Sequence, residues 1–210
     1  MFKRIALSLA VVATSASLLA QTPAPAAPTL RLRATIEKID ATSITIKERS
    51  GEIITLVRPA TMDVSEVYPI ALNDIKAGSY IGTAAMPQAD GTQLAIEVLV
   101  FPETSRGTGE GHRAYDLRPE STMTNATVAD LAAAPSTVPG GQKMTLKYKD
   151  GEKVVIVPPG APVVSFKPGK QDEAALLVAG AKVVITAQER DGKPTALRVL
   201  VGRNGFAPPM

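Results

Sequence analysis

An internal repeat constrains the fold of this chain more than any other feature. Segments 44–59 (ITIKERSGEIITLVRP) and 144–159 (MTLKYKDGEKVVIVPP) share six identities at an offset of 100. Further along, 90–100 (DGTQLAIEVLV) and 191–201 (DGKPTALRVLV) share six more at an offset of 101. Chance does not produce two matching blocks in the same order, so the sequence predicts a tandem duplication of one small unit.

The two copies extend over 30–102 and 121–203, and both alternate apolar and polar residues with the period of a β-strand. X-Gly pairs such as Asp90-Gly91 and Asp191-Gly192 separate such runs and are typical of tight hairpins. The alternation predicts that Glu97 and Arg198 are exposed. It predicts burial of Ile96, Val98, Val100, Leu197, Val199 and Val201.

Helical character is limited to segments 70–77 and 172–179, each followed by a glycine at a helix C-terminus. Strands surrounding one short helix are the order expected of a small OB-like barrel. The predicted fold class is therefore all-β, with two tandem small five-stranded OB-like barrels and a short helix in each. A two-sheet sandwich is the alternative, because counting strands does not separate the two.

The N-terminal residues have the pattern of a secretory signal peptide. Lys3 and Arg4 precede an apolar run that ends near Ala20, which predicts a signal peptide at 1–20. A Pro/Ala-rich tether is predicted at 21–29. We therefore expect a periplasmic or secreted protein with no integral membrane span once the signal is removed.

Composition excludes several classes of function. The chain has no cysteine, which excludes disulfides, thiolate zinc sites and cysteine nucleophiles. Without Lys3 and Arg4, 21 basic residues face 20 acidic ones, so the mature chain lacks the basic field that nucleic-acid binding requires. His112 is the only histidine and no G-x-S-x-G motif is present, so we expect no enzyme.

The connector between the copies, residues 103–120, is the one unusual segment, and residues 204–210 form a C-terminal tail. The connector exceeds the usual loop length, so we expect it to be ordered, with Tyr115 and Leu117 as apolar anchors and His112 partly exposed. Its acids and arginines either pair across the domain interface or form a site. A divalent metal could be held by Glu110, His112 and Asp116. An anion could be held by Arg106, Gly107, Gly109, Gly111 and Arg113.

Segments 101–128 (FPETSRGTGEGHRAYDLRPESTMTNATV) and 145–160 (TLKYKDGEKVVIVPPG) resemble a family of exported bacterial proteins built on a domain of unknown function. The resemblance implies export, a β-rich fold and tandem OB-like repeats. The family carries no established activity. Some relatives are loosely labelled metal-transport components, which implies a metal connection only as a hint.

Three functions follow as expectations. The first is a non-enzymatic binding or scaffolding protein of the periplasm, whose partner is an envelope protein or a small ligand and which needs no cofactor. The second is a periplasmic metal-handling protein that uses the connector. The third is an enzyme acting on an envelope substrate, which would show a cleft with a perturbed carboxylate.

Overall fold

The structure is a computed structural model that describes residues 28–210. The predicted signal peptide lies outside the described residues, as does the predicted tether except for its last two residues. Within residues 28–210, no helix has the length and apolar character needed to cross a membrane.

The chain is mostly β, as the alternating pattern predicts, and its strands form one hydrogen-bonded sheet of 13 strands. The strands are β1 (Thr29–Ile39), β2 (Ser43–Glu48), β3 (Ile53–Val57), β4 (Asp63–Pro69), β5 (Tyr80–Pro87), β6 (Gln93–Val100), β7 (Gly111–Ala114), β8 (Thr122–Ala133), β9 (Gln142–Tyr148), β10 (Gly151–Val157), β11 (Val163–Pro168), β12 (Lys182–Arg190) and β13 (Lys193–Gly202).

The sheet closes on itself at two places. In the first ring, β1, β2, β3, β13 and β12 are successive neighbours, and the parallel pair Thr195↔Val57 joins β13 to β3. In the second ring, β8, β9, β10, β6 and β5 are successive neighbours, and Val155↔Gln93 and Ile156↔Leu94 join β10 to β6. Between the rings, β4 and β11 pair antiparallel. Each ring therefore combines three strands of one repeat with two strands of the other.

This exchange differs from the expectation that 30–102 and 121–203 each form a separate β domain. Hairpin turns fix β5 beside β6 and β12 beside β13, which the sequence pattern predicts correctly. The pattern does not specify which three-stranded unit each hairpin completes, because the two copies are similar and either unit offers a matching edge. The structure thus shows one continuous sheet rather than two separate barrels.

Apolar side chains fill both rings. One core cluster includes Ile36, Ile46 and Val199 of the first ring, and another includes Ile81, Val98 and Leu146 of the second. A third, smaller cluster lies between the rings around Val67, Val164, Phe166 and Met210. The C-terminal tail thus contributes to the packing between the rings.

The predicted burial of Val98, Val199 and Val201 is confirmed. Ile96, Val100 and Leu197 are only partly buried, so those predictions are wrong. Ile96 and Leu197 are the extra residues of two β-bulges. On β5, Ala84 pairs with Glu97 and the next residue pairs with Ala95, so Ile96 is skipped. On β12, two successive residues pair with Arg198 and Ala196 in the same way, so Leu197 is skipped.

The prediction that Glu97 is exposed is also wrong, because its side chain is 1% exposed. Glu97 points away from the interior of the second ring, as the alternation with Val98 requires. Glu97 instead faces the space between the rings, which it lines together with Tyr115, Arg198 and Met210, so facing outwards does not mean facing solvent. Arg198, at the equivalent place on β13, is partly exposed with 34% of its side chain accessible.

Helical structure is short, as predicted, but it is not limited to the two expected segments, because single 3₁₀ turns also occur at Glu103–Ser105 and Arg203–Gly205. The expected helix at 70–77 is a single 3₁₀ turn, Leu72–Asp74. The expected helix at 172–179 begins earlier, as a 3₁₀ turn over Lys170–Asp172 that continues into α1 (Glu173–Leu176). Both pieces lie where the chain leaves β4 or β11 and crosses to the other ring.

Candidate functional site between the rings

A cavity of about 150 Å³ lies between the two rings. Strands of both repeats line it, together with Thr108 and Tyr115 of the connector and Met210 of the C-terminal tail. Its polar and charged lining residues are Arg31, Glu97, Thr108, Tyr115, Asn125, Thr186 and Arg198. We call this space the central cavity.

Glu97 and Arg198 occupy equivalent positions in the two repeats, at the offset of 101 seen in the aligned blocks. Both lie on the outer faces of exchanged strands, so the strand exchange brings an acidic side chain and a cationic side chain to the same cavity. Arg198 lies beside Asp63, with 3.2 Å between Nε and Oδ2, and donates a hydrogen bond from Nη2 to Ser65 Oγ at 3.3 Å. Among the described residues, no ion pair joins Arg198 to Glu97.

The Glu97 carboxylate is buried without a hydrogen-bond partner on either oxygen among residues 28–210. Burial raises its pKa to about 7. The nearby Ala84 amide, which lies outside hydrogen-bonding geometry, and the positive charges of Arg33 and Arg31 offset only part of this effect. A surface groove of about 570 Å³ also includes Glu97 in its lining, so this residue stands between the groove and the central cavity.

Two more polar atoms of the cavity lining lack hydrogen-bond partners among the described residues, namely Asn125 Oδ1 and Arg198 Nε. The Asn125 side chain is fixed because its Nδ2 donates to the Thr108 carbonyl at 3.0 Å. Its Oδ1 approaches Gly82 so closely that a Cβ there would lie 2.7 Å from it and 3.1 Å from the Phe101 ring. Glycine at position 82 therefore keeps this end of the cavity open.

Aromatic rings form an apolar wall beside these polar groups. The Phe101 ring lies 5.3 Å from the Tyr80 ring and 5.9 Å from the Phe166 ring between centroids, the second contact being edge-to-face. The Arg198 guanidinium lies over the Phe166 ring at 5.0 Å. The cavity thus offers both an apolar surface and unpartnered polar atoms.

The connector is anchored beside this cavity through Asp116. Its carboxylate accepts two hydrogen bonds from Arg33, at 3.0 and 3.1 Å, and one from Arg31 at 3.2 Å. These bonds, chiefly those from Arg33, lower the pKa of Asp116. Arg33 also donates from Nε to the main-chain oxygen of Met210 at 3.1 Å, and both arginines lie over the Tyr115 ring. The pairing of Asp116 with two arginines of β1 matches one of the alternatives expected from the sequence.

The predicted apolar anchors of the connector, Tyr115 and Leu117, are both half-buried, and His112 is partly exposed as expected. Burial raises the pKa of Tyr115. The connector also adds a short strand to the sheet, since β7 pairs with β8. The segment is therefore an ordered part of the fold.

The three residues predicted to hold a metal are not brought together. Glu110 accepts a hydrogen bond from the Lys149 amide at 3.1 Å, while Asp116 is held by arginines. His112 Nδ1 lies 2.8 Å from Thr124 Oγ1, and burial lowers the pKa of His112, helped by the charges of Lys153 and Arg113. Over residues 28–210, no group of three potential metal-ligating side chains occurs.

Both arginines of the predicted anion nest donate hydrogen bonds within or beside the loop. Arg106 pairs with Glu103 and donates to the Gly78 carbonyl, and Arg113 donates to the Gly109 carbonyl at 2.8 Å. Gly107, Gly109 and Gly111 all have positive φ values, which serve the turns of the connector.

The residues that make the strongest candidate site were missed by sequence reasoning. Glu97 and Arg198 were read as exposed strand residues, although the aligned repeats carry a signal there, namely opposite charges at equivalent positions. Asn125 carries no such signal. No protein-family model, curated protein or solved structure matches this chain.

Proposed function

We propose that this protein is an exported, non-enzymatic binding protein of the bacterial periplasm, and that it holds a small ligand in the central cavity. We further propose that each ring is an OB-like barrel completed by a hairpin of the other repeat. The observation that carries the function is the buried Glu97 carboxylate, whose two oxygens lack partners where they line a cavity.

Free energy supports this interpretation. A buried polar group without a hydrogen bond costs about 1–3 kcal/mol, and more when it is charged. Glu97 and Asn125 carry this cost at one place, whereas the Arg198 guanidinium is partly compensated by Asp63 and Ser65. A ligand that satisfies these atoms removes the cost, so the cavity favours occupation. Its volume of about 150 Å³ matches a ligand of roughly six non-hydrogen atoms.

An enzyme is the second candidate, because Glu97 is a perturbed carboxylate in a cavity. A pKa of about 7 suits a general acid or base. Against this role, the described lining of the cavity contains no histidine and no second carboxylate that could act with Glu97. Binding is therefore the better-supported function, while no observation on the connector favours metal handling.

A ligand screen with matched glycine variants tests the proposal. Ligand-observed NMR with a library of small polar compounds should detect binding to the wild-type protein. Gly82→Ala should abolish that binding, because the new Cβ displaces Asn125 Oδ1 and Phe101 into the cavity. Gly160→Ala is the control, since a Cβ at Gly160 meets nothing within 4 Å.

Binding that survives Gly82→Ala unchanged would place the ligand elsewhere and refute the proposal. Prolonged incubation of each bound compound separates the two candidates. A binding protein returns the compound unaltered, whereas an enzyme converts it to a product of different mass.

A further inference from the structure

The unpartnered atoms of the central cavity have a composition that points to one kind of ligand group. Three of them are acceptor oxygens: the two carboxylate oxygens of Glu97 and the amide oxygen of Asn125. A primary ammonium group carries three N–H donors and no acceptor. One such group supplies one donor for each unpartnered oxygen.

The charges of the lining lead to the same group. Arg31 is bound to Asp116, and Arg198 lies beside Asp63, so each lining arginine has a carboxylate of its own. Glu97 is the charged group of the described lining that has no ion-pair partner. A buried carboxylate is stabilised when a cation reaches it, because the cation replaces the lost hydration.

Arg198 indicates which chemical group the other end of the ligand carries. Its Nε is ion-paired with Asp63 Oδ2 at 3.2 Å but makes no hydrogen bond, and it is the one donor without a hydrogen bond among the described polar atoms of the cavity. Because Arg198 and Glu97 line the same cavity from equivalent strands without pairing, an acceptor and a donor on one ligand can reach both. A carboxylate is the acceptor that arginine recognises best.

We propose that the central cavity binds a small zwitterion of the α-amino acid class, with its ammonium group at Glu97 and Asn125 and its carboxylate at Arg198. This inference rests on the proposed function, and it adds the chemical class of the ligand. A small side chain such as that of alanine fits the cavity volume of about 150 Å³.

Isothermal titration calorimetry on the full chain at pH 8 tests the inference with three probes. Alanine carries both charged groups, ethylamine carries only the ammonium group, and propionate carries only the carboxylate. We expect alanine to bind at least tenfold more tightly than either of the others. Glu97→Gln should weaken alanine binding at least tenfold, whereas Glu37→Gln, at an exposed position of β1, should leave it unchanged.

Arg198→Gln adds a second readout. It should weaken alanine binding while leaving ethylamine binding unchanged, because ethylamine has no group for Arg198. Circular dichroism of each variant shows that it is folded before titration. Propionate binding as tightly as alanine, or full alanine affinity in Glu97→Gln, would overturn the inference.

The same experiment separates this inference from the proposed function. If alanine does not bind but another small compound binds and is lost in Gly82→Ala, the ligand class is wrong and the binding function stands. If no small compound responds to Gly82→Ala, both are wrong.

Discussion

Replacing Glu97 by glutamine should change how the stability of the protein depends on pH. The pKa of Glu97 is about 7 in the folded protein against 4.5 as its ordinary value, which we take for the unfolded chain. Between these values the folded state binds more protons than the unfolded state, so stability falls as pH rises. The fall is complete about one pH unit above the pKa of 7, and at about 1.36 kcal/mol per pH unit it amounts to about 3 kcal/mol.

Glu97→Gln lacks this titration, so its free energy of unfolding relative to wild type should rise by about 3 kcal/mol between pH 4.5 and pH 8. Urea unfolding followed by far-ultraviolet circular dichroism, at half-unit steps of pH, measures the difference. Glu37→Gln removes one negative charge from the exposed surface of β1 and serves as the control. Parallel pH curves for wild type and Glu97→Gln would mean that the carboxylate is hydrated or paired, and would refute the argument from burial.

Three further predictions concern the fold and the connector. Val98→Ala should reduce the free energy of unfolding by about 1–3 kcal/mol, because Val98 is fully buried in the second ring. An unchanged urea midpoint would contradict the place of Val98 in the core. Limited trypsin cleavage after Arg106 should leave two fragments that elute together in size-exclusion chromatography, because both rings contain strands of each fragment. Separate elution of the fragments would contradict the exchanged pairing. Asp116→Asn should lower the free energy of unfolding by about 1–3 kcal/mol by weakening the hydrogen bonds from Arg33, and it should speed tryptic cleavage in the connector. A cleavage rate equal to that of wild type would show that Asp116 does not anchor the connector.

Local patterns predicted the elements of this fold well, because period-two alternation and X-Gly turns act over a few residues. The hairpin around Asp90-Gly91 and the burial of Val98 follow directly from that pattern. The prediction that Ile96 is buried is wrong because Ile96 lies in a bulge, and a bulge depends on the geometry of the partner strand, which alternation does not encode. The strand exchange was missed for a similar reason, since pairing between strands as distant in sequence as those of Leu32 and Ile185, or of Ile81 and Ala126, is decided by tertiary packing.

The candidate site was missed because its residues acquire their properties only from that exchange. Glu97 on an isolated ring would face solvent, and its carboxylate would be hydrated. In the folded protein Glu97 lies between the rings beside Tyr115, Arg198 and Met210, and this burial removes water and raises its pKa. The connector, in contrast, attracted attention through its glycines and its histidine, but its arginines and acids are used to hold the segment in place.

The exchanged hairpins also determine when the protein can fold. Leu32 in β1 pairs with Ile185 in β12, and Val57 in β3 pairs with Thr195 in β13, so the first ring cannot close until the last strands of the chain are present. Until then β1 has an open hydrogen-bonding edge, which is a template for aggregation. Contacts at such long sequence separation also slow folding. A chain with this topology therefore keeps unsatisfied strand edges until both hairpins have crossed, so the exchanged topology that buries the core of the folded protein makes its folding intermediates prone to aggregation.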